Sequence, residues 1–74
     1  LEAGGNRPFI LNAANEIAVE AFLNEQIRFP AIYDCIEAAL ATLPHEAAAD
    51  LDTLLATDAA TRQHVRTLTS PKHA

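Results

Sequence analysis

Asn12, Asn15 and Glu16 are the side chains of this sequence best placed to do chemistry. Spaced i, i+3 and i+4, they share one side of any α-helix that carries them. Two amides and a carboxylate there offer donors and acceptors to a bound molecule or to the backbone of a packed neighbour. Asparagine is a mediocre helix former because its side chain competes for backbone hydrogen bonds, so two inside one helix call for a compensating contact. We read that contact as a loop carbonyl or the backbone of a neighbouring domain. Direct contact with a substrate or cofactor is the alternative.

Other reactive side chains are sparse. The single Ser70 falls near the C-terminus, and Cys35 lies between Ile32 and Ile36, where it reads as a small apolar filler rather than a nucleophile. Glu16 and Glu20 stand one turn apart, but no glutamate has a histidine three residues later, and His45, His64 and His73 are scattered. The pair reads as a solvated face rather than a cation site. Gly4-Gly5 lacks the further glycines and the preceding strand of a dinucleotide-binding loop. No residue is therefore assigned as catalytic, cofactor-binding or metal-binding.

The elements that carry these residues follow from composition and period. Seventy-four residues make one domain at most. Alanine is frequent and alternating β-branched patterns are absent, so the expected fold is all-α, a small bundle of three to four helices. The chain starts at Leu1 and contains no methionine, which reads as a fragment. One cysteine excludes an internal disulfide. A net charge of −5 disfavours nucleic acid and anionic membrane as partners, and no apolar run has the length of a membrane span. All ten carboxylates lie at or before Asp58, with Arg62, Arg66 and Lys72 beyond, as suits the negative end of a last helix.

Residues 1–6 read as a joint, 7–69 as the bundle and 70–74 as a tail. Gly4-Gly5 is flexible, Asn6 is a helix cap, and Pro8 is tolerated in a first turn. The first helix is expected from about Arg7 to Glu25, with Ile10, Leu11, Ala14, Ile17, Ala18, Ala21 and Phe22 on an apolar arc of about 140°. Val19 and Leu23 stand on the opposite side among polar residues, which implies a second packing partner. The second helix, about Pro30 to Leu43, is expected to bury Ile32, Ile36, Ala39, Leu40 and Leu43, with Phe29 stapling its start and Pro44 ending it. His45 to Ala49 reads as a loop or a frayed turn. Asp50 caps a short third helix presenting Leu51, Leu54 and Leu55, and Leu54 joins the core. Thr57 or Asp58 caps a fourth, with Thr61, His64, Val65 and Leu68 on one side.

Ala3-Gly4-Gly5, Pro8, the block Leu11-Asn12-Ala13-Ala14-Asn15-Glu16, Ala18-Val19, Ala21-Phe22-Leu23 and the Ile27-x-Phe29 step together resemble the start of the C-terminal helical domain of 1-deoxy-D-xylulose 5-phosphate reductoisomerases. Ile32, Glu37, Leu54-Leu55-Ala56 and Asp58-Ala59-Ala60-Thr61-Arg62 look similar to its later helices, while Pro30 stands where related sequences often carry threonine. The resemblance implies a four-helix domain that packs against, and supports, the catalytic domain of a larger enzyme. That enzyme would convert its substrate to 2-C-methyl-D-erythritol 4-phosphate for isoprenoid biosynthesis, using NADPH and a divalent cation, magnesium or manganese. It would be a homodimer of the bacterial cytoplasm or the plastid. The nucleotide-binding and metal-binding residues belong to the preceding domains, so none carries over to a position here and this segment alone is expected to be inactive. Asn12, Asn15, Glu16, Val19 and Leu23 are the candidate contacts with the rest of the enzyme. The alternative is a free-standing helical protein-interaction module.

Overall fold

Arg7–Leu23 forms helix α1, Phe29–Thr42 α2 and Leu51–Thr69 α3, in a computed structural model that describes residues 5–47 and 50–70. Among the described residues there is no strand, and no helix is long and apolar enough to cross a membrane. The expectations for residues 1–4, for Ala48 and Ala49, and for the tail beyond Ser70 lie outside the described residues.

α1 ends at Leu23 rather than Glu25 because its last carbonyls are captured early. Glu25 takes a left-handed conformation, φ 62°, with its N–H donating to the Phe22 carbonyl while the Gln26 N–H donates to that of Ala21. This paired closure stops a helix in one residue. α2 begins one residue before the expected start, so Pro30 sits inside its first turn. Phe29 is therefore part of the helix rather than a staple ahead of it, and its ring meets Phe22 and Tyr33 edge-on. Leu43 is extended, as a residue before proline prefers.

α3 corrects the expectation of two helices in this region. No glycine or proline interrupts Leu51–Thr69, and neither Thr57 nor Asp58 is free to cap. The Thr57 hydroxyl oxygen accepts from Asn6 Nδ2 at 3.1 Å, and the Asp58 carboxylate accepts from Arg62 one turn on. The described residues thus form a three-helix bundle.

Asp50 does cap α3, accepting from the Thr53 N–H at 2.8 Å. That backbone hydrogen bond holds the carboxyl below the usual carboxylate range. A folded-state value below the unfolded one stabilises above the unfolded pKa, and the contribution is lost as pH falls through the folded one. Asp50→Ala is therefore expected to melt lower than the parent chain at neutral pH. In acid the gap should close, which circular-dichroism melts across a pH series would check.

The three helices run up, down and up, with α1 packed on both others and α2 and α3 touching less. Asn6 meets Thr57, Glu16 meets Arg62 and Gln26 lies beside Thr69, so α1 and α3 run side by side in the same direction. Ile10, Ala13, Ala14, Ile17, Ala18, Ala21, Ile32, Cys35, Ala39 and Val65 are the buried apolar residues. The alanines on α1 and α2 let backbones approach closely, and the branched residues fill the remaining space.

One expected core position, Leu11, is corrected, and Phe22, Ile36, Leu40 and Leu43 pack against the core from its edge. Leu11 is 48% exposed, while Phe22, Ile36, Leu40, Leu43 and Leu54 are half-buried. The buried arc of α1 has about the expected width but is turned by roughly 40° on a wheel of 100° per residue, away from Leu11 and Phe22 and onto Ala13. The cause is the neighbour on each side: α3 covers the Ala13 edge, while Leu11 borders an open groove with Pro8, Asn12, Asn15 and Ile36. Three helices also enclose less than four, which leaves the outer leucines of α2 half covered.

Candidate interface on helix α1

Asn12, Asn15, Glu16, Val19 and Leu23 fall on one outward arc of α1, about 100° wide at 100° per residue. Asn12, Asn15, Glu16 and Leu23 are exposed, Leu23 at 71%, whereas Val19 is half-buried and packs against the core. Among the described residues neither the Asn12 nor the Asn15 amide has a hydrogen-bond partner.

Glu16 is held. Its Oε1 accepts from Arg62 Nη2 at 2.8 Å, while Arg62 Nε donates at 2.8 Å to Asp58. Its hydrogen bonds to Asp58 and then Glu16 push the guanidinium further above its ordinary range, which changes no protonation at attainable pH. Glu16 is 62% exposed, so the pair contributes about 0–1 kcal/mol and serves mainly to point the carboxylate. Glu16, Val19, Leu23, Arg62 and Arg66 line a groove of ≈ 470 Å³ that lies open to solvent. A ligand pocket encloses most of its occupant, and this groove does not.

The chemistry sought elsewhere is thin. Cys35 is buried, and burial followed by the nearby Asp34 raises its thiol pKa, opposite to what a nucleophile needs. Among the described residues no three His, Cys, Asp or Glu side chains cluster as metal ligands, and Glu16 already faces a guanidinium. His64 Nε2 is buried without a partner among the described residues.

Sequence reasoning missed the most engaged polar residue, Asn6. It stands at the cap position of α1, yet its side chain makes no capping bond. Instead Nδ2 donates to the Pro44 carbonyl at 2.9 Å and to Thr57 Oγ1 at 3.1 Å, and Oδ1 accepts from the Glu46 N–H at 2.8 Å. Asn6 is 1% exposed. Thr57, Thr61, Val65 and Thr69 form the buried stripe of α3, where the threonines satisfy their hydroxyls on their own helix or on Asn6. Their i+4 spacing was a signal, masked by the polarity of threonine.

The family model described as DXP reductoisomerase C-terminal domain matches residues 1–64. A 1-deoxy-D-xylulose 5-phosphate reductoisomerase of Xanthomonas oryzae pv. oryzae (strain MAFF 311018) is 59% identical over 63 residues, 85% of this chain and 16% of that protein. Enzymes of the same name from Rhodospirillum centenum (strain ATCC 51521 / SW) and Pseudomonas putida (strain W619) are 51% and 50% identical, over 85% and 84% of this chain and 16% of each relative. The chain thus spans about a sixth of the length of these relatives. No solved structure gives a significant match.

Proposed function

Because this chain belongs to the DXP reductoisomerase C-terminal domain family, we propose that it is the helical support of a 1-deoxy-D-xylulose 5-phosphate reductoisomerase. Its part is mechanical: it packs against the catalytic portion of the same polypeptide and holds it in place. The parent reaction on this reading is rearrangement of the substrate followed by hydride reduction with NADPH, giving 2-C-methyl-D-erythritol 4-phosphate. The parent works as a homodimer in the bacterial cytoplasm or a plastid, on the same resemblance.

One observation supports the supporting role above all: α1 presents Leu23 and two amides without a partner among the described residues outward on a single arc, next to a carboxylate pinned by Arg62. Apolar area and open hydrogen-bonding groups side by side are what a packed neighbour can use. The described residues do not fit NADPH or a divalent cation. They hold no cluster of metal-binding side chains, and the described end of α1 carries Asn6 turned inward rather than a phosphate-cradling loop. Both groups on this reading are held by the catalytic portion.

Two assays test the proposal. The 74-residue chain should oxidise no NADPH when given 1-deoxy-D-xylulose 5-phosphate and magnesium; turnover would refute the supporting role. Leu23→Asp should leave melting of the chain alone within about 0.5 kcal/mol, as exposed substitutions do, yet lower the melting temperature of the whole enzyme. No shift in the whole enzyme would remove α1's outer arc from the interface. Asn15→Ala in the whole enzyme should act only through stability, so lost turnover at unchanged melting would transfer that amide to substrate.

A further inference from the structure

The residues that lead into α1 are built as a fixed attachment, although a Gly-Gly-Asn sequence suggests a loose one. Gly5 has φ +61°, and a Cβ placed there would overlap the Glu46 carbonyl oxygen and sit 3.0 Å from Ala47 Cα. Only glycine permits so close an approach in that conformation. Asn6 follows with its N–H donating to the Glu46 carbonyl at 3.1 Å and its carbonyl accepting from Phe9 and Ile10. Its side-chain bonds reach segments 38 and 51 residues away, at Pro44 and Thr57, and Glu46 N–H closes onto Oδ1. One buried residue thus ties the start of α1, the α2–α3 loop and the middle of α3.

We propose that Gly5-Asn6 is a rigid latch rather than a hinge, fixing the direction in which the preceding polypeptide meets the bundle. The catalytic portion and this domain then turn as one body, a consequence that rests on the supporting role proposed above. Asn6 is on this account a positioning residue. A hinge needs backbone groups that can exchange partners with water, whereas leaving the buried amide of Asn6 unpaired carries its full desolvation cost.

Amide hydrogen exchange on the chain tests the latch itself. In Asn6→Ala the Glu46 amide should exchange about tenfold faster, the scale of one lost hydrogen bond. The Asn24 and Gln26 amides, bonded at the other end of α1, should keep their rates. An unchanged Glu46 rate, or a rise shared equally by Asn24 and Gln26, would overturn the latch. Should Asn6→Ala not fold, Thr57→Val removes one arm and Thr57→Ser keeps it; Glu46 exchange should rise in the first alone, and equal behaviour of the two overturns the proposal. In the whole reductoisomerase, paramagnetic labels on Gln63→Cys and on a cysteine in the catalytic portion report the distance between the two bodies. Asn6→Ala should broaden that distribution, and an unchanged width with a deprotected Glu46 amide would overturn the orienting role. If no catalytic portion precedes the chain, the exchange result stands and the proposed function alone falls.

Discussion

Ile10→Ala is expected to unfold most of the population of this chain. Ile10 is wholly buried in the cluster formed with Ala14, Ile17, Ala18, Ile32, Cys35, Ala39 and Val65. Truncating a buried isoleucine costs about 2–5 kcal/mol, from lost transfer energy and the cavity left behind. A core of this size rarely supplies more than about 3–5 kcal/mol in total. Its neighbour Leu11, half in water, should cost about 1 kcal/mol or less when changed to alanine. Urea unfolding of both variants followed by far-ultraviolet circular dichroism provides the check. Equal losses would mean that the buried arc of α1 is oriented differently from the one described.

The second large effect is expected at Gly5→Ala. A left-handed conformation costs a non-glycine residue about 1–3 kcal/mol. Here the added methyl group also meets loop backbone, which cannot swing aside as a side chain can. Glu25 is the control, with almost the same φ at 62° but an exposed position. Glu25→Gly removes strain and should stabilise by up to about 1 kcal/mol, less the entropy that glycine gains when unfolded. Thermal melts of the two variants should therefore shift in opposite directions. Shifts of equal size and opposite sign would show that torsional preference alone governs the two sites, with no part for the approach of Gly5 to the loop.

The contrast between Asn6 and the pair Asn12 and Asn15 shows where sequence reasoning stops. A loop carbonyl is expected to meet the amides of Asn12 and Asn15, whereas the asparagine that bonds one is Asn6. Local spacing singles out Asn12 and Asn15 because they stand inside a helical period, whereas Asn6 looks like an ordinary cap. Its true partners lie 38 to 51 residues away, and no local pattern encodes such a separation. The burial of Thr57 and Thr69 beside Thr61 escapes local pattern for a related reason. Hydrophobicity counts their hydroxyl as polar, but a helix can satisfy that group on its own carbonyls and bury the methyl.

By itself the sequence determined the all-α class, the cap at Asp50, the stop before Pro44 and the family, because each rests on local steric and hydrogen-bonding rules or on a long matched run of residues. Tertiary structure alone decided which edge of α1 faces α3, that Leu51–Thr69 is one helix and that Asn6 is interior. Periodicity says which residues share a face, but the helix that covers that face is chosen by packing across the whole chain. A shift of about 40° is within the tolerance of an amphipathic pattern and still exchanges Leu11 for Ala13 in the core.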